Sequence, residues 1–187
     1  MQHGQAAAPR EVQDGAGMAS EQAEQMAGFF ASNRARFSNP DLDLATVRDV
    51  VEGLHVATKE PEGVSYAEAD AGGVPALWCI PDGYDSESVL LHSHAGGSVV
   101  FSMYSDRKAA GHIAKAAGVR ALVLDFRRAP EDPFPAQQDD VETAYRWLLA
   151  QGYRHESIAS IGHSIGGNLA VSLAIRLRGM GAQLPAA

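Results

Sequence analysis

Residues 157–168 read Ser-Ile-Ala-Ser-Ile-Gly-His-Ser-Ile-Gly-Gly-Asn. Ser157–Ile161 is a short apolar run of strand length. Ile165–Arg178 is apolar nearly all round at helical spacing, which marks a helix made for an interior. Between them, Gly162-His163-Ser164-Ile165-Gly166 fits the pattern G-x-S-x-G. A serine on so sharp a strand-to-helix turn is held in a strained backbone conformation and exposed above the sheet. Glycines on either side remove the Cβ atoms that would strike the neighbouring strand and helix. The helix that follows aims its N-terminus at the serine, where its dipole favours developing negative charge. The string alone is weak evidence, and its position between a strand and a helix is what gives it weight.

Working outward from this turn, elements of alternating period appear. Ala121–Leu124 is a continuous apolar strand, as expected of a strand buried on both faces. Val141, Ala144, Tyr145, Leu148 and Leu149 form a helical stripe, with Asp140, Glu142 and Arg146 opposite. Ala109, Ala110, Ile113, Ala114 and Ala117 form another helical face, and Val89–His92 is a third short strand. Further back, Val64–Ala69 and Val74–Ile80 flank Gly72-Gly73 and predict a hairpin. Leu44, Val47, Val51 and Leu54 lie on one face of a helix with Asp43 as its N-cap. Ala23, Met26, Ala27 and Phe30 mark an earlier helix, broken by Asn39-Pro40. The expected organisation is a disordered tail over 1–18, a helical segment over 19–60 and a core over 61–187. Two helices, a hairpin and then β-α-β-α-β-α predict an α/β fold, with a mostly parallel sheet and an antiparallel N-terminal hairpin.

Composition narrows the function classes. The chain has 187 residues, 45% of them apolar, with 15 basic and 23 acidic side chains and a formal charge of −8. That balance argues against nucleic acid as a bulk electrostatic partner. A single cysteine, Cys79, cannot form an internal disulfide. No apolar run reaches membrane-span length, and the N-terminus lacks the apolar core of a secretory signal. The setting expected is cytoplasmic.

Two more motifs carry chemistry. His94-Ala95-Gly96-Gly97 directly follows the Val89–His92 strand, and consecutive glycines there can turn backbone N–H groups toward a reacting oxygen. Asp125-Phe126-Arg127-Arg128-Ala129-Pro130-Glu131 ends a strand and enters a proline-rich loop. An ion-paired loop that braces the site is the reading for Asp125 and Arg127.

In order and spacing, these motifs resemble those of the hormone-sensitive-lipase-like esterases of the α/β-hydrolase fold, which show H-G-G-G, D-Y-R-L-A-P-E and G-D-S-A-G-G-N. The two helices before the hairpin are similar to that family's N-terminal cap contribution, so the likeness spans about residues 20–185. It implies a carboxylic ester hydrolase with Ser164 as nucleophile and an acyl-enzyme intermediate. It also implies an oxyanion hole from the N–H groups of Gly96, Gly97 and Ile165. Gly162, Gly166, His94, Asp125 and Arg127 would be structural residues at the site, with no cofactor and no metal. The chain departs from the pattern at Ala95, Phe126, Arg128 and His163, and His163 is read as a local packing or hydrogen-bonding residue.

A serine nucleophile needs a base, and the base an orienting carboxylate; in α/β hydrolases both follow the serine. After Ser164 this sequence contains no Asp, Glu or His. The expectation is a C-terminally truncated copy, a fragment or half of a split enzyme, inactive or severely impaired as it stands. The alternative is a non-catalytic protein that binds a small ligand on the same fold. His92 and His94, two apart at a strand end, are read as core packing and loop bracing. His112 and His155 are read as lacking a carboxylate at ligand spacing. The Ser157–Ile161 strand is expected to be an apolar edge through which chains self-associate, while the substrate partner is a small-molecule ester.

Overall fold

A computed structural model describes residues 19–37 and 41–187. The stretch read as a tail, 1–18, and the Asn39-Pro40 break lie outside the described residues. The chain divides into two units, one up to Pro40 and one over Asp41–Ala187. In the first, α1 spans Glu21–Phe37, and the Ser20 hydroxyl accepts from the Ala23 N–H at 3.2 Å as an N-terminal cap.

The second unit opens with α2, Leu44–Glu52, where the Asp43 carboxylate accepts from the Thr46 N–H at 2.7 Å. A 3₁₀ turn, Gly53–Ala57, follows. Strands β1 (Val64–Asp70) and β2 (Pro75–Pro81) form the expected antiparallel hairpin, turning on Gly72 and Gly73 at φ of 76° and 96°. Then come β3 (Asp85–Ser93), α3 (Met103–Ala117), β4 (Val119–Leu124), α4 (Ala136–Ala150), β5 (Ile158–Gly162) and α5 (Ile165–Gly179).

The sheet order is β1-β2-β4-β3-β5, with β2 antiparallel to both neighbours and β3 parallel to β4 and β5. Four strands therefore run one way and β2 the other, which is the mostly parallel sheet with an antiparallel N-terminal hairpin that the sequence predicts. Alternation along β4 builds two cores. Leu122 and Leu124 point to one face, packing with Val141, Ala144, Tyr145 and Leu148 of α4 and with Leu169, Leu173 and Leu177 of α5. Ala121 and Val123 point to the other, packing with Met103, Ala110 and Ala114 of α3 and with Cys79.

Two differences from the sequence reading have physical causes. Helix α3 starts six residues before its apolar stripe, because Ser102 and Ser105 form a reciprocal capping box. Helix α5 is buried on one side only. Leu169, Leu173 and Leu177 are covered, while Val171 and Ile175 are 61% and 54% exposed. The outer edge of β5 is not bare along its length. The Ala186 N–H donates to the Ile158 carbonyl and the Ser160 N–H to the Ala187 carbonyl, both at 2.8 Å. Among the described residues, no helix is long and apolar enough to cross a membrane.

Candidate active site

Parallel strands β3 and β5 lie side by side, with Ser93 opposite Gly162 at their C-terminal ends. Loops leaving adjacent strand ends face a common crevice in open α/β sheets, and here those loops are 94–101 and 162–165. Ser164 is exposed in the second, at φ 55° and ψ −124°. A non-glycine residue there is a genuine outlier, of the kind held in place only when its surroundings over-determine it.

The surroundings are two glycines that abut the end of β3. A Cβ on Gly162 would lie 2.6 Å from the Ser93 carbonyl oxygen and as close to that of Gly166. One on Gly166 would be driven into the Ser93 carbonyl and would lie 2.8 Å from the His94 carbonyl oxygen. Gly162 and Gly166 are thus set by contact between the turn and the neighbouring strand.

The first loop is wound tightly on Gly96, whose carbonyl accepts from the N–H groups of Val99 and Val100, each at 3.0 Å. Gly96 and Gly97 have φ of 105° and 62°, and Ser98 and Phe101 also sit in the left-handed region. Among the described residues, no hydrogen bond draws on the N–H of Gly96, Gly97 or Ile165, so three donors flanking the Ser164 turn are unspent.

His94 is fully buried. Its ring stacks on Phe126 at 4.1 Å between centroids and 10° between planes, and Nδ1 donates to the Ala95 carbonyl at 2.6 Å. Burial pushes its pKa from 6.5 down to about 4, with the bond to Ala95 only partly opposing. His94 is therefore a neutral brace at the root of the glycine loop. Because folding depresses this pKa, the unfolded chain takes up the proton first as pH falls. Stability contributed by neutral His94 is complete above pH 6.5 and is lost between there and about 4. Denaturant midpoints across that window should fall with pH, and less steeply for His94→Gln.

Loop 125–131 braces the glycine loop through partners that its own spacing does not reveal. Arg127 pairs with Asp140 of α4, its Nη2 at 2.7 Å from one carboxylate oxygen, and its backbone N–H donates to the other. Asp125 has no hydrogen bond or ion pair with Arg127, and burial raises its pKa above the ordinary carboxylate value, against the charge of Arg128. The Ala129 N–H donates to the Ser98 carbonyl, and Arg128 donates to the Phe101 carbonyl, both at 2.7 Å. Arg48 of α2, which no motif or spacing singles out, joins everything. It donates to the Val99 carbonyl at 2.8 Å, the Ala129 carbonyl at 2.9 Å, and both Glu131 oxygens. That bidentate pairing holds the Glu131 carboxyl down to about 2.

The remaining histidines among the described residues have other partners. The rings of His55, His112 and His155 meet the carbonyls of Glu52, Lys59 and Leu184. His155 also has a carboxylate neighbour, Glu156 at 3.4 Å. His92 bonds Asp106, and His163, expected as a local packing or hydrogen-bonding residue, is exposed with its Nδ1 3.8 Å from an Asp106 oxygen. No hydrogen bond among the described residues joins a histidine ring to Ser164.

Comparison with known proteins places these features among relatives. A family model described as the alpha/beta hydrolase fold matches residues 90–187. An acetyl-hydrolase of Streptomyces hygroscopicus is 36% identical over 169 residues, covering 80% of this chain and 55% of that protein. An ethyl acetate hydrolase of Pseudomonas putida is 38% identical over 94 residues, covering 48% of this chain and 30% of the relative. Among solved structures, an esterase from the bacterial hormone-sensitive lipase family superposes with a TM-score of 0.79 at 38% identity, covering 87% of this chain and 55% of that one. An esterase/lipase from an uncultured bacterium gives 0.77 at 31% identity, covering 89% and 56%. The chain spans about half the length of the solved relatives it matches.

Proposed function

Since the chain belongs to the α/β-hydrolase fold family, with hormone-sensitive-lipase-like esterases as relatives, we propose that it is the nucleophile-bearing part of a carboxylic ester hydrolase. Ser164 attacks the ester carbonyl and becomes acylated, the alcohol departs, and water releases the acid. The oxyanion formed at each addition is held by the N–H groups of Gly96, Gly97 and Ile165, with the dipole of α5 behind them. The observation that carries this reading is Ser164 at φ 55° on a turn whose glycines abut β3, beside three unspent N–H donors. His94, Asp125 and Arg127 hold the glycine loop in place and do not touch the ester. The helical segment 19–60 serves as a cap segment to the 61–187 core. An acidic chain with one buried cysteine suits the cytoplasm, and no cofactor is needed for this chemistry.

What the 187 residues do not supply is a base and its carboxylate beyond Ser164. The experiment that tests the assignment extends the chain with the C-terminal half of an esterase relative. Hydrolysis of p-nitrophenyl acetate should then appear and be abolished by Ser164→Ala. Hydrolysis that survives Ser164→Ala would remove Ser164 from its role. Acetate is the first probe because two relatives are named for acetyl and ethyl acetate hydrolysis.

The 187-residue chain also associates with itself in this reading, through the exposed Val171 and Ile175 strip beside β5. Light scattering should show a dimer or larger species, shifted toward monomer by Val171→Lys with Ile175→Glu. A monodisperse monomer with a sharp, cooperative melt would contradict this.

A further inference from the structure

We propose that His92, Asp106 and His163 form a binding site for a divalent transition-metal ion of the zinc class. Three separate parts of the chain converge there. His92 is the penultimate residue of β3, Asp106 lies in the first turn of α3, and His163 sits in the turn between β5 and α5. His92 Nε2 lies 2.6 Å from Asp106 Oδ2, and His163 Nδ1 lies 3.8 Å from the same oxygen. One ligand atom from each residue falls within 4.8 Å of the other two.

The donor set decides the class of ion. Two imidazole nitrogens and a carboxylate oxygen suit zinc and its neighbours, whereas magnesium and calcium take oxygen ligands. Zinc binds such atoms at about 2.0–2.2 Å, which places two tetrahedral ligands roughly 3.3 Å apart. The His92–Asp106 separation must widen somewhat and the approach of His163 must tighten. In exchange for their hydrogen bond, His92 and Asp106 each gain a bond to the ion.

Burial gives the site a more confined part and a freer part. The side chains of His92 and Asp106 are 1% and 8% exposed, while that of His163 is 58% exposed. The buried pair supplies a two-point seat that has only a small adjustment to make, and the exposed imidazole closes on the ion from the solvent side, leaving a coordination position open. Ordinary core bracing accounts for a buried His92–Asp106 bond. It gives no reason for a second imidazole to approach the same carboxylate from outside. His94, two residues on, takes no part, because its ring is stacked on Phe126.

Direct metal binding tests this without reference to ester hydrolysis. The purified 187-residue chain, stripped with a chelator, is titrated with Zn²⁺ by calorimetry and with Co²⁺ by visible absorption. One equivalent should bind, with the intense visible bands of low-coordinate Co²⁺. His163→Ala, a change at an exposed position, should weaken binding about 10-fold or more and remove those bands. Asp106→Asn should also weaken it, and His112→Ala and His155→Ala should leave it unchanged. Absence of stoichiometric binding would overturn the proposal. So would binding that survives His163→Ala, or that is lost equally in His155→Ala.

Discussion

The 187-residue chain is expected to hydrolyse p-nitrophenyl acetate no faster than a serine enzyme stripped of its base. Attack by a neutral serine hydroxyl requires a group to take its proton as the bond to carbon forms. No histidine ring is hydrogen-bonded to Ser164 among the described residues, and no Asp, Glu or His follows it in the sequence. What would remain is the proposed oxyanion hole; in serine enzymes the hole and substrate binding leave an advantage of about 10³–10⁴ over water when triad members are removed. Initial rates of the chain and of Ser164→Ala should therefore lie close together. A robust rate that depends on Ser164 would mean that another group activates it.

The second large effect is structural. Gly166→Ala should destabilise the fold by about 3 kcal/mol, at the upper end of what one added methyl group costs in a packed interior. The new Cβ would enter the Ser93 carbonyl and lie 2.7 Å from its carbon. Ser93 cannot give way cheaply, because it ends β3 between partners on both sides, Leu124 of β4 and Gly162 of β5. For a chain of this size that corresponds to a melting temperature lower by roughly 6–12 °C. Gly179→Ala is the control. That glycine ends α5 with nothing within 4 Å of an added methyl group, so alanine should be neutral or slightly stabilising. A Gly166→Ala variant melting with the wild type would show that the turn and strand are not in such close contact.

How far the fold can be read from the sequence follows from where each element gets its stability. Helix α4 and strand β4 carry their own burial pattern, so the stripe Val141, Ala144, Tyr145, Leu148 and the run Ala121–Leu124 are visible directly. The start of β3 is not. Asp85–Ser88 is polar, and its place in the strand comes from pairing, including the Asp85 N–H to the Gly118 carbonyl at 2.7 Å. Glycines of the Ser164 turn are legible because close backbone approach excludes other residues there, and the structure supplies the carbonyls they approach. Side-chain pairings across long sequence distances are illegible. Arg48 and Glu131 are 83 residues apart, and nothing local to either points to the other. Arg127 reads as part of its loop, yet its partner Asp140 is on the polar side of the α4 stripe. Asp106 carries no signal as a lone acid at the start of a helix, and only folding places it between two histidines.

Acylation of Ser164 is read by mass spectrometry of the extended chain after brief exposure to p-nitrophenyl acetate and an acid quench. One acetyl group is expected, carried by Ser164 within the tryptic peptide spanning residues 155–176 and absent from Ser164→Ala. Ester turnover accompanied by an acetyl group on another residue would contradict it.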